Sequence, residues 1–312
     1  MTAPGSTGEQ IGVLGKDPAA VTTEVVLTGI GVPVPQAGCA GAGALVRRGD
    51  VALQFDAGRA TVLRLMEAGT PPGALAAVFL THVHSDHVVG LPDLAMSRWI
   101  GQQLHASGPL IIVAPEGGAA RFVRRMLDPF DEDIALRREH VGTGPVGVDL
   151  RTFATPAAPT EVWRSDDGAV RVLAVGVHHE PVPDAVAYRV ETPDGAVVIS
   201  GDTRVCAEVE VLVSGADLLV HEACRATALA SLIAGTPFET IFSYHADTVA
   251  LGAMAERAKV PHVVLTHLIP PPNQPGDREA FAKDLRDRGY SGTITVGRDL
   301  ETVTVDSSVT SP

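Results

Sequence analysis

The chain has 312 residues, 45% of them hydrophobic and only 4% aromatic, and a formal charge of −13 at neutral pH. That length and apolar share support one substantial core of small aliphatic side chains, as in an α/β enzyme. The acidic balance argues against a nucleic acid as main partner, since affinity for a phosphate backbone rests on Lys and Arg; no apolar run approaches about 18 residues and no basic-then-apolar leader opens the chain, so a cytoplasmic protein without a membrane span is expected.

Short β-branched runs alternate with amphipathic stretches, the pattern of sheets covered by helices. A flexible lead-in is expected over 1–22, one domain over 23–306 and a tail over 307–312. Strands are predicted at Glu24–Thr28, Ala44–Arg47, Val51–Phe55, Ala76–Leu80 and Leu110–Val113, with helices at Ala60–Ala68, Leu91–His105 and Gly117–Leu127. After a loop around Gly142–Gly147, strands recur at Val170–Val175, Val186–Glu191, Ala196–Ile199, Leu218–His221 and His262–Thr266, with helices at Val205–Val213, Ala246–Lys259 and Asp277–Arg288. The Pro-rich pieces Thr155–Pro159 and Ile269–Pro275 read as surface loops, and the second half echoes the first.

Cys39, Cys206 and Cys224 are odd in number and far apart, so they read as small packed thiols and not as a disulfide framework. Arg121, Arg124 and Arg125 read as a solvated helix face. His105, His140, His221 and His262 read as packed or surface residues.

The chemistry concentrates in Thr81-His82-Val83-His84-Ser85-Asp86-His87, directly after an apolar run. A loop leaving a buried strand can aim several short polar side chains into one cleft, and imidazole with carboxylate suits zinc, iron or manganese. Alternating His82 and His84 can face one ion while Asp86 and His87 face another.

This run resembles the H-x-H-x-D-H signature of the metallo-β-lactamase fold superfamily. Further motifs fall into place: Asp56-Ala57-Gly58 upstream, then Val177-His178-His179, Ser200-Gly201-Asp202-Thr203 and Leu265-Thr266-His267-Leu268. The resemblance implies a four-layer αββα sandwich of two pseudo-repeated halves. It also implies two divalent metal ions, Zn2+ with Mn2+ or Fe as alternatives: His82, His84 and His179 on the first, Asp86, His87 and His267 on the second, and Asp202 bridging. Between His178 and His179, spacing to the following strand favours His179. Ions so bridged sit about 3.5–4 Å apart and make a hydroxide nucleophile available; Asp56 would orient a ligand histidine and Asp86 would also serve catalysis.

Within the superfamily, His221-Glu222-Ala223-Cys224 is similar to the His-Glu-Ala-Thr motif of the ribonuclease Z-like and arylsulfatase-like branch, and His245 stands where that branch places a histidine at the start of a helix. The resemblance implies that Glu222 charges and orients His245, which assists the leaving group. His179 and Asp202 are only 23 positions apart, with a hairpin turn at Thr192-Pro193-Asp194-Gly195. That leaves no room there for a long tRNA-holding arm, so the expectation is a hydrolase of a small ester-like substrate, a phosphodiester or sulfate ester, with nucleic acid unexpected and a homodimer compatible with the branch. A lactonase or thioesterase is the alternative, with Met96, Trp99 and Ile100 lining an acyl pocket; an iron redox enzyme, a tRNA 3′-processing endonuclease and a non-catalytic binding module rank below it.

Overall fold

Alternation along the apolar runs decides the architecture, because successive side chains of a strand face opposite ways. In β3 (Val51–Phe55), Leu53 and Phe55 enter a core shared by two sheets, whereas Ala52 faces a layer of helices. β4 (Ala77–Phe79) repeats this, with Ala77 and Phe79 inward and Val78 outward. The computed structural model describes residues 21–102 and 107–305; most of the expected lead-in, the tail and His105 lie outside the described residues.

The first sheet contains β1 (Glu24–Gly29), β2 (Gly43–Arg48), β3, β4, β5 (Leu110–Pro115) and β6 (Val148–Phe153), and its far edge is β14 (Thr302–Thr304). Its order is β14-β1-β2-β3-β4-β5-β6. The second contains β7 (Thr160–Arg164), β8 (Arg171–Gly176), β9 (Val186–Thr192), β10 (Gly195–Ile199), β11 (Leu218–Cys224), β12 (His262–Ile269) and β13 (Thr293–Val296), in the order β13-β12-β11-β10-β9-β8-β7. From β14 and from β7 inward, each sheet makes three antiparallel pairings and then three parallel ones. The two halves are therefore pseudo-repeats, and the C-terminal β14 completes the N-terminal sheet.

Helices α1 (Thr61–Glu67), α3 (Leu91–Gly101) and α4 (Gly118–Arg125) cover the first sheet, and α6 (Ala207–Val213), α9 (Thr248–Arg257) and α10 (Asp277–Arg286) the second. This is the expected αββα order. All ten interior strands coincide with predicted runs, whereas the four edge strands β6, β7, β13 and β14 were not predicted. Edge strands face water along one side and carry polar residues, as in Thr160-Glu161-Val162-Trp163-Arg164, so no apolar run marks them. Also unpredicted are the one-turn α2 (Ser85–Val88), α5 (Asp131–Val141), α7 (Ala226–Ile233) and α8 (Pro237–Ser243); α5 and α7 bury no residue fully. Met96 and Trp99 are buried, Ile100 is exposed and the Trp99 indole donates to the Gly144 carbonyl at 3.0 Å, so α3 is core cover and not an acyl pocket.

Three of the sparse aromatics pack together between the sheets. Phe55 stacks on Phe79 at 4.9 Å, and Tyr188 from β9 meets both rings at 5.5 Å. Tyr188 Oη donates to the Leu80 carbonyl at 2.7 Å, tying the second sheet to the peptide that enters Thr81-His82. Burial holds the Tyr188 pKa well above its ordinary value, so the hydroxyl remains a donor. Tyr188→Phe should lower stability by about 1–2 kcal/mol in urea unfolding, because the Leu80 carbonyl loses a buried partner; an unchanged midpoint would contradict this role.

Candidate metal centre

The cluster forms where interior strands end. Asp56 follows β3, the His82–His87 run follows β4, Asp202 follows β10, and Glu222 and His267 lie near the ends of β11 and β12. Parallel strands run side by side here, so their C-terminal ends open into one crevice. The loops are pressed together: Ala57 N donates to the His87 carbonyl at 2.7 Å, and a Cβ on Gly58 would lie 2.3 Å from the Asp86 carbonyl oxygen. Only glycine permits that approach.

Two residues of the site hold left-handed backbone angles despite having side chains, Asp56 with φ 54° and His267 with φ 43°. Gln54 Nε2 grips the Asp56 carbonyl at 2.7 Å and Thr28 Oγ1 at 2.8 Å. At His267 the cause is a β-bulge: Glu222 pairs with Thr266 and Ala223 with Leu268, leaving His267 as the extra residue. Bulges re-aim side chains beside functional sites.

His82, His84, His179 and Asp202 bring their donor atoms together, as do Asp86, His87 and His267. His84 Nδ1 lies 3.0 Å from both His82 Nε2 and His179 Nε2. Asp86 Oδ2 is 3.2 Å from His267 Nε2 and 3.6 Å from His87 Nε2. Asp202 Oδ2 stands between the groups, 3.3 and 3.4 Å from His87 and His267 Nε2, and 3.9 and 3.8 Å from His82 and His179 Nε2. Of the adjacent pair, His179 is buried in the cluster, while His178 points outward with Nε2 3.3 Å from Glu208.

Other hydrogen bonds decide which nitrogens are lone pairs. The Asp56 carboxylate accepts from Thr81 N at 2.8 Å, Thr81 Oγ1 at 2.7 Å and His87 Nδ1 at 2.8 Å. Thr81 Oγ1 in turn accepts from His82 Nδ1 at 2.9 Å, so one carboxylate leaves Nε2 of both His82 and His87 without a proton when the rings are neutral. His179 Nδ1 donates to the Tyr244 carbonyl at 3.3 Å, with the same effect. The single Nδ1 proton that His84 can carry satisfies only one of its two close imidazole neighbours. His87 Nε2 and Asp202 Oδ1 are buried without a partner. Converging lone pairs and orphaned acceptors are what a cation satisfies, so the donor set fits divalent metal.

For three of the imidazoles the electrostatics agree, whereas Asp202 and Asp56 overcome burial and hold His87 well above the ordinary imidazole pKa. Burial pushes His82, His84 and His179 below the ordinary imidazole pKa, keeping them neutral. Burial opposes the charge on Asp202, but His267 and His87 outweigh it and hold the carboxyl well below its usual range.

Beside this set, Glu222 is fully buried and accepts from His245 Nδ1 at 2.9–3.0 Å and from Thr203 N at 2.7 Å. Burial disfavours the imidazolium, yet the Glu222 carboxylate overrides it and lifts His245 to about 9. The His245 ring lies 5.0 Å from that of His179 and 5.6 Å from that of His267. It precedes α9 and does not begin it: Asp247 caps the helix, accepting from Ala250 N at 3.4 Å. Thr81, Gln54, Thr203 and Tyr244 had no predicted role; Thr81 and Thr203 lie inside the quoted motifs, but only the folded contacts give them one.

A family model described as the beta-lactamase superfamily domain matches residues 55–268. Ribonuclease Z of Mycobacterium sp. (strain KMS) is 38% identical over 290 residues, covering 92% of this chain and 97% of that protein. The chain belongs to the metallo-β-lactamase superfamily, in its ribonuclease Z-like branch. Ribonuclease Z of Mycobacterium bovis is 34% identical over 284 residues, covering 90% and 98%. In fold the chain matches the metallo-beta-lactamase fold protein YhfI from Bacillus subtilis, with TM-score 0.69 at 20% identity over 91% and 99% of the two chains. The short form of human tRNase Z matches with TM-score 0.66 at 20% identity, covering 90% and 99%. This member of the superfamily is a metal-dependent hydrolase of ester bonds that uses divalent metal.

One expectation is overturned. A small-molecule substrate, with nucleic acid unexpected, does not stand against relatives that bear the name ribonuclease Z along nearly their whole length. The short hairpin is real, since Thr192 pairs with Gly195 between β9 and β10. Net charge and the length of one loop are poor guides to substrate, because phosphates are held by local arginines and lysines whatever the total charge. Among the described residues, no helix is long and apolar enough to cross a membrane.

Asp56→Asn keeps the size of the side chain but cannot accept from Thr81 and His87 together as a carboxylate does. It should weaken metal retention against a chelator by about 10–100-fold; wild-type retention would show that Asp56 does not orient the donors.

Proposed function

We propose that this chain is a ribonuclease that hydrolyses a phosphodiester bond of RNA, with a transfer-RNA precursor cut near its 3′ end as substrate. The observation that carries this reading is the kinship of 34–38% with proteins named ribonuclease Z, spanning nine-tenths or more of both chains. The Glu222–His245 pair, set against the metal-type cluster, supports it.

In this reading His82, His84 and His179 would hold one divalent ion and Asp86, His87 and His267 a second, with Asp202 available to both; zinc suits the His and Asp set. Bound there, the ions would supply Lewis-acid polarisation of the phosphoryl group and a water of lowered pKa. The chain's own part is proton transfer and positioning. Glu222 takes the hydrogen bond from His245 Nδ1, which turns Nε2 toward the crevice. As the phosphorus–oxygen bond breaks, the proton on Nε2 passes to the leaving ribose oxygen. Asp56 and Thr81 keep the donor imidazoles in their tautomers, and Thr203 N holds Glu222 in place.

Purified protein loaded with Zn2+ or Mn2+ should cut such a precursor once, near the 3′ end of the mature RNA. His245→Ala and Glu222→Gln should each lower kcat by about 10²–10⁴-fold while elemental analysis finds the bound metal retained. His87→Ala should lose metal as well as turnover. Undiminished kcat in the first two variants would remove the proton-donor role, and failure of the wild type on RNA would remove the ribonuclease reading.

A further inference from the structure

The hydrolytic machinery leaves unused the surface beside it. Arg121, Arg124 and Arg125 are all exposed on α4, which contains no acidic residue, while Ala119, Ala120 and Val123 bury its other face. Arg124 Nη2 lies 3.7 Å from Glu116 and Arg125 Nε 3.7 Å from Asp128, long contacts between exposed groups that restrain neither side chain strongly. Arg121 has no ion pair among the described residues. Between α4 and the metal-motif loop runs an open cleft with a volume of about 960 Å³, bordered by Val83, Ser85, Phe130 and the three arginines. Asp128 is the acidic residue on its wall.

The helix is fixed to the centre from both sides. Gly118 N donates to Asp184 Oδ2 at 2.6 Å, and Asp184 is buried on the segment that follows His179. Val83, between His82 and His84, packs against Gly118 so closely that a Cβ there would lie 2.8 Å from Val83 Cγ1. The arginines therefore keep a set position relative to both stretches that supply the first donor group. A positive strip in a chain of charge −13 calls for an anionic occupant. Guanidinium forks match phosphate oxygens, and an exposed aromatic such as Phe130 suits an unstacked base.

We infer that this cleft is an RNA-binding track: Arg121, Arg124 and Arg125 hold phosphates of the strand whose scissile bond enters the centre. The inference rests on the ribonuclease reading and adds to it the surface that positions the substrate. The track is sequence-independent, since it reads backbone charge.

The test compares metal-loaded wild type, the triple variant Arg121→Ala/Arg124→Ala/Arg125→Ala, and a control that removes the same charge elsewhere, Arg151→Ala/Arg164→Ala/Arg171→Ala. Affinity for a transfer-RNA precursor is measured over a salt series, with thermal midpoint and bound metal as the check on folding. For the α4 variant Kd should rise about tenfold or more, and the slope of log affinity against log salt should shrink by about 2, near 0.7–0.9 per lost phosphate contact. The control should stay within about twofold of wild type. If wild type binds and cuts RNA and the α4 variant keeps its Kd and slope, or the control loses as much, the track is overturned and the ribonuclease reading stands. If wild type neither binds nor cuts RNA, the ribonuclease reading falls and takes the track with it.

Discussion

The constraint on which the centre depends is the buried carboxylate of Asp202, 3% exposed and 3.3–3.9 Å from nitrogens of four histidines. A carboxylate taken out of water costs several kcal/mol unless positive charge meets it. Burial drives two of these four, His82 and His179, neutral, and neutral imidazoles do not offset that cost, while Asp202 and Asp56 overcome burial and hold His87 well above the ordinary imidazole pKa. Divalent metal held by this donor set would meet the remaining carboxylate charge. The surrounding polar contacts are then understandable as a scaffold that keeps donors aimed inward.

That scaffold uses the internal repeat asymmetrically. Asp56 and Asp202 follow β3 and β10, the matching fourth strands counted from β14 and from β7. Asp202 faces the donor cluster, whereas Asp56 is turned by its left-handed backbone to collect Thr81 and His87. Similarly, the strand after β3 leads into the donor-rich loop, while its counterpart β11 carries Glu222 and the link to His245. Duplication supplies equivalent strand ends; local backbone geometry assigns them different work.

Legibility followed burial. Interior strands such as β10, buried from Ala196 to Ile199, announce themselves as apolar runs, and each was predicted. Edge strands and surface helices such as α5 bury too little to leave a pattern. The site was legible as residue types and order, since His82, His84, Asp86 and His87 are neighbours in the chain. The substrate was not, because a short β9–β10 hairpin and a net negative charge say nothing about where three arginines of α4 come to lie.

The sequence alone supplied the candidate donors in their order and, through its resemblance to the metallo-β-lactamase superfamily, the layered α/β class and hydrolytic chemistry, because residue type and motif spacing are carried by the linear chain. Only the tertiary structure decided that His179 and not His178 joins the cluster, that Asp56 governs two imidazoles, His87 directly and His82 through Thr81, that a bulge turns His267 inward, and that α4 is clamped beside the centre. Each of these depends on contacts between segments far apart in the chain, where direction and distance matter. A linear pattern carries neither.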